Sequence, residues 1–166
     1  MLLTRVAALR AIALAAALAS TSAAAGAAAP PATILDVLAA QRDTATVLAA
    51  IRSSGLEAEL HDASSVTIFA PNDAAFAALP AARRESLMRP AGRDDLRKLL
   101  LGHVVRADIR LFDNQNDAMD LAFGSEAGTE LAVHVAGSSA KVNGAKIVRP
   151  DLRAENGEVQ IIDRVL

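Results

Sequence analysis

The chain has 166 residues, with 17 basic and 19 acidic side chains and no Cys, Tyr or Trp. That length fits one domain, and the lack of Cys excludes disulfides, thiolate metal sites and cysteine nucleophiles. A slightly acidic chain without a basic stripe is a poor nucleic-acid binder, and without Tyr or Trp only Arg is left among the usual anchors of tight protein interfaces.

Residues 1–25 read as a secretory signal peptide. Arg5 and Arg10 stand in a stretch without acids, Ala11 to Ala19 is an unbroken apolar run, and Ala23-Ala24-Ala25 offers an A-x-A cleavage site. The run is well short of the ~20 residues a spanning helix needs, so cleavage is preferred to a membrane anchor. Cleavage would remove two of the 17 basic residues, leaving 15 against 19 acids and a net charge of −4. With no Cys there is no lipoprotein anchor, and no second apolar run of spanning length follows. The processed protein is therefore expected to be secreted or periplasmic. Residues 26–32, with Pro30-Pro31, read as a disordered lead-in to a domain spanning 33–166. A domain of roughly 140 residues can bury a core without covalent staples.

Thr33 can cap a helix whose apolar stripe is Ile34, Leu35 and Leu38, with Asp36 in its first turn. Val47, Leu48 and Ile51 predict a second helix over 44–53, with Gly55 at its C-terminal cap. Leu56 to Leu60 suits a turn or short helix. Val66 to Ala70 is β-rich and ends at Pro71, which predicts a buried strand. Asn72 then caps a helix containing Phe76 and Leu79. Two further helices are expected over 83–88 and from Asp94-Asp95 through Leu101, and His103 to Val105 is extended. From Met119 the apolar period becomes two, through Leu131, Val133 and Val135. Gly137-Ser138-Ser139 and Asn143-Gly144 mark hairpin turns, and 145–148 and 158–166 complete the strands. Helices first and strands later argue for an α+β fold.

Three segments carry a family resemblance. Thr67 to Phe76 reads TIFAPNDAAF, Leu99 to Val105 reads LLLGHVV, and Asn156 to Leu166 reads NGEVQIIDRVL. In this order and spacing they resemble the signature segments of the fasciclin (FAS1) domain, and the likeness covers Thr33 to Leu166. The resemblance implies a wedge-shaped antiparallel β-sandwich of about seven strands with helices packed around it. It also implies a non-catalytic binding module related to adhesion or matrix, whose partner is a cell-surface or matrix protein or polysaccharide. A lone domain would bridge two bodies only by weak self-association or through two faces. A periplasmic carrier for a small apolar molecule or lipid is the alternative.

Most motif residues have a structural reading. Thr67, Phe69 and Pro71 form and end a strand, and Asn72 caps the next helix. Phe76 returns a ring to the core, Asn156-Gly157 starts the last strand through a positive φ, and Asp163 accepts hydrogen bonds from backbone or an Arg. His103 is expected to be a buried imidazole bridging two backbone segments, with ligand contact as the functional reading. Two departures stand out. Gly102 replaces the family's Tyr before the central His, and Gln160 replaces a His in the last motif. Animal relatives use that Tyr-His region for integrin contact, so the loss of the Tyr argues against the same role here. Arg149, Pro150, Asp151 and Leu152 resemble in part a second integrin-linked motif, with a proline-ended strand and turn as the plainer reading.

No motif for a nucleotide, zinc protease or serine hydrolase occurs, so neither a cofactor nor an enzyme activity is expected. His61 and His134 lack ligand-spaced partners for a metal. Asp113 to Asp117, with Asp120, is oxygen-rich but lacks the glycine and terminal Glu of a calcium loop. Arg83-Arg84 and Arg93-Arg97-Lys98 read as solvated helix faces or, alternatively, a patch for an anionic polysaccharide.

Overall fold

The computed structural model describes residues 32–112 and 118–166. The segment expected to be a signal peptide, most of the expected lead-in and the Asp113–Asp117 cluster fall outside these residues. The first half is helical: α1 (Ile34–Ala40), α2 (Ala45–Ser54), α3 (Glu57–Asp62), α4 (Asp73–Ala77), α5 (Ala81–Met88) and α6 (Arg93–Leu101), with a 3₁₀ turn at Pro90–Gly92. Strand β1 (Val66–Pro71) is set among them. After α6 come β2 (Val104–Val105), β3 (Met119–Gly124), β4 (Glu130–Ala136), β5 (Ser139–Val142), β6 (Ala145–Ala154) and β7 (Gly157–Ile162).

Local chemistry accounts for the helix ends. Thr33 and Asp36 form a reciprocal capping box at α1, with the Thr33 N–H donating to Asp36 Oδ2 at 2.9 Å. Gly55 closes α2 at φ +77, and its N–H returns to the Arg52 carbonyl. Asn72 Oδ1 accepts from the Ala75 N–H at 2.8 Å and starts α4. That helix ends at Ala77, so Leu79 lies in the following turn rather than in the helix.

The strand order is β2-β1-β7-β6-β5-β4-β3. Most neighbours are antiparallel, but β1 and β7 run parallel, from Val66 opposite Gly157 to Pro71 opposite Ile162. This is one parallel pair in an otherwise antiparallel sandwich, and the reason is topological. β7 returns from β6 by a tight turn, while β1 is reached only by way of most of the chain. The two outer signature segments thus lie side by side at the centre of the molecule.

Alternation along β1 and β7 feeds two cores. Val66, Ile68, Ala70, Val159 and Ile161 face the helices, packing with Ile34, Leu38, Ile51, Leu96 and Leu100. Phe69 and Ile162 face the other way, onto Leu131, Val133, Val135, Val142 and Ile147. β6 passes from one sheet to the other. The sequence predicts a strand that stops at Val148, because Pro150 cannot donate to a ladder. Instead it runs to Ala154 through register shifts on either side of Arg149, with Asp151 at φ +52. The last strand ends at Ile162, four residues before the expected end.

Candidate functional site

The signature side chains fasten separate segments to one another. Thr67 Oγ1 donates to the Ala107 carbonyl at 2.6 Å and accepts from the Ile109 N–H at 2.9 Å. Asp73 accepts from the Thr46 N–H at 2.7 Å, so the residue after the Asn72 cap holds the start of a different helix, α2. Phe69 and Phe76 are fully buried, one in each core. Asn156 Oδ1 accepts from the Ile34 N–H, and its Nδ2 donates to the Leu60 carbonyl, each at 2.9 Å. One amide thereby joins the start of α1, the end of α3 and the turn into β7. Gly157, at φ +155, lies where a Cβ would stand 1.7 Å from the Val66 carbonyl oxygen. Close approach of β1 is thus a second reason for glycine there. Asp163 lies just beyond β7, exposed, and its Oδ1 accepts from the Lys146 N–H at 2.8 Å.

His103 is 1 % exposed. Its Nδ1–H donates to the Leu99 carbonyl at 2.8 Å, and Nε2 accepts from the Leu166 N–H at 3.0 Å. Burial lowers its pKa to about 4, with the Leu99 hydrogen bond opposing. The imidazole is neutral, and both its nitrogens are occupied by backbone.

The segment 149–152 is mostly turned inward. Arg149 pairs with Asp43 and donates to Gln41 Oε1 at 2.8 Å, tying β6 to the loop after α1. The Asp151 carboxylate accepts from the Leu111 and Phe112 N–H groups at 3.0 and 3.1 Å. Leu152 packs against the helical core. Pro150 faces solvent and borders a hollow of about 370 Å³ with Phe112, Gly137 and Ser138.

Sequence reading noted Gln160 only as a departure and passed over Glu158. Gln160 is fully buried. Its Oε1 accepts from the Asp151 N–H, and its Nε2 donates to the Ile109 carbonyl and to Asp151 Oδ1. This closed ring holds the β6 irregularity. Glu158 is 1 % exposed, with Arg110 and Arg153 each at 3.5 Å, and its Oε2 has no hydrogen-bond partner among the described residues. Burial, followed by the charges of Asp108 and Asp151, pushes its pKa up. The period of two was the available signal. Thr67, Glu158 and Gln160 share a face with Phe69 and Ile162, so polar groups had to enter the sandwich.

A cleft of about 520 Å³ opens between α5–α6 and the β3–β4 turn, lined by Arg83, Asp95, Lys98, Leu99, Gly102, Ala127 and Leu131 among others. Gly102, the position without the aromatic ring, lies on its wall. His61 pairs with Asp62 and His134 with Asp120 across β3–β4. Among the described residues, no three His, Cys, Asp or Glu side chains converge on a metal position. No helix there is long and apolar enough to cross a membrane.

These features define a small α+β sandwich domain whose motif side chains act as bracing. The chain belongs to the fasciclin family: the family's domain profile, "Fasciclin domain", matches residues 42–166. α1 precedes that span, yet it buries Ile34 and Leu38 in the same core. The chain is 37% identical over 134 residues to protein sll1483 of Synechocystis sp., covering 81% of this chain and 72% of that protein. It is 34% identical over 137 residues to transforming growth factor-beta-induced protein ig-h3 of Sus scrofa, covering 82% of this chain but 19% of ig-h3. A FAS1 domain pair from the insect cell adhesion molecule fasciclin I shares the fold, with a TM-score of 0.57 and 22% identity. That likeness covers 73% of this chain and 44% of the pair.

Proposed function

We propose that this protein is a non-catalytic, extracytoplasmic binding module of the adhesion or matrix type, secreted or periplasmic. Its partner is a cell-surface or matrix protein or polysaccharide. Family membership carries this reading, since the structurally similar FAS1 pair comes from a cell adhesion molecule. The internal use of the motif side chains agrees with it, because they are committed to holding the scaffold. In this reading His103 acts through the scaffold. Within 149–152, Pro150 is the residue that presents a surface.

The test is to incubate the labelled full chain with isolated cell envelopes and to fractionate the producing cells. Saturable envelope binding and recovery outside the cytoplasm are expected. A strictly monomeric protein that binds no envelope would remove the proposal. The hollow beside Phe112 and Pro150 favours a second reading, a carrier for a small apolar molecule. An apolar fluorescent probe whose emission depends on Pro150 and Phe112 would support the carrier over adhesion.

A further inference from the structure

The basic residues of α5 and α6 divide into two groups. Arg84 donates to the Ala77 carbonyl, Arg93 donates to the Ser54 carbonyl, and Arg97 pairs with Glu59. The Arg83 and Lys98 side chains make no ion pair or hydrogen bond within the described residues. Both are exposed, and both line the same cleft of about 520 Å³. They come from different helices, Arg83 from α5 and Lys98 from α6.

We infer that this cleft binds an acidic oligosaccharide, a short run of sugar units bearing carboxylates. The inference rests on the binding-module reading and narrows its ligand. The cleft volume falls in the range of ligand sites, roughly 300–1,000 Å³. A carboxylate can meet the Arg83 guanidinium and the Lys98 ammonium without displacing an existing partner, and charge-assisted bonds of this kind are the stronger ones. Asp95 on the same wall is an acceptor for ring hydroxyls. A sugar supplies such hydroxyls and a hydrocarbon carboxylate does not. Leu99, half-buried, offers apolar surface for the C–H face of a ring, and Gly102 carries no side chain to intrude on it. Among the described residues no aromatic side chain lines the cleft, so charge rather than stacking must select the ligand.

Isothermal titration of the full chain at fixed ionic strength tests this, with a trimer of galacturonic acid as probe and its neutral methyl ester as comparison. The trimer is expected to bind, with the ester weaker by about tenfold or more. The double variant R83A/K98A is expected to lose at least about tenfold in affinity for the trimer. Lys141→Ala, on β5 outside the cleft, is expected to leave it unchanged. Absent binding, equal binding of the ester, an unaffected double variant, or competition by sulfate at equal concentration would each overturn the assignment. A chain that binds envelopes but ignores the trimer sinks the cleft assignment and leaves the binding module standing. A chain that ignores both sinks both.

Discussion

Two buried titratable side chains pull stability in opposite directions as pH changes. The His103 imidazole donates through Nδ1 and accepts through Nε2, so a second proton would set an N–H against the Leu166 N–H. Its folded pKa of about 4 lies below the ordinary 6.5. The unfolded chain therefore takes up the proton first on acidification. The stabilisation is complete above pH 6.5 and is lost as pH falls toward about 4, a change of roughly 3 kcal/mol. Urea unfolding between pH 7 and pH 4 should show this loss. His103→Ala should melt lower than the wild type at pH 7 and lose most of that pH dependence. An unchanged melting temperature would remove the bridging role. Glu158 has the opposite sign, because its folded pKa is raised, chiefly by burial. Its contribution is favourable below its unfolded pKa and is lost as pH rises through the folded value. Glu158→Gln should therefore melt no lower than the wild type at pH 7. A fall of several degrees would show that Arg110 and Arg153 outweigh the burial of the charge.

The parallel contact of β1 with β7 concentrates the demands on Asn156-Gly157. A Cβ at Gly157 would meet the Val66 carbonyl at 1.7 Å, and the strand pairing cannot yield without breaking. Gly157→Ala should cost about 3 kcal/mol or more in chemical denaturation, whereas a cost below about 1 kcal/mol would mean that β1 can move aside. Asn156→Ala frees the Ile34 N–H and the Leu60 carbonyl, and should cost about 1–3 kcal/mol. Faster amide exchange should then be confined to the ends of α1 and α3, and exchange spread evenly would contradict the clamp. These elements also show what could be read in advance. Thr33 with Asp36, Asn72, Gly55 and the Asn143-Gly144 hairpin were legible because each acts within a few residues of itself. The continuation of β6 past Pro150 was not, because its support comes from Gln160 and the 109–112 segment across the fold. The cleft was legible only as scattered cations. Which of them are consumed depends on Glu59, Ser54 and Ala77, whose approach no local pattern announces.

At the scale of the whole molecule, one pair of strands serves two cores. Val159 and Ile161 belong to the helical side, and Ile162 and Phe69 to the sheet side, on strands bonded in register. Neither core can open without exposing a face of β1–β7, so the helices and the β3–β5 sheet should lose structure together. Leu131, buried on the sheet side, is far in sequence from every helix. Leu131→Ala should cost about 2–5 kcal/mol by removing a packed side chain from the core. The same variant should lower the midpoint of the helical far-ultraviolet signal and of the Val133 and Val135 methyl resonances by equal amounts. If the methyl signals melted first and the helical signal kept its wild-type midpoint, the two cores would be separate units. The shared strands would then be a contact between them rather than the element that makes the domain cooperative.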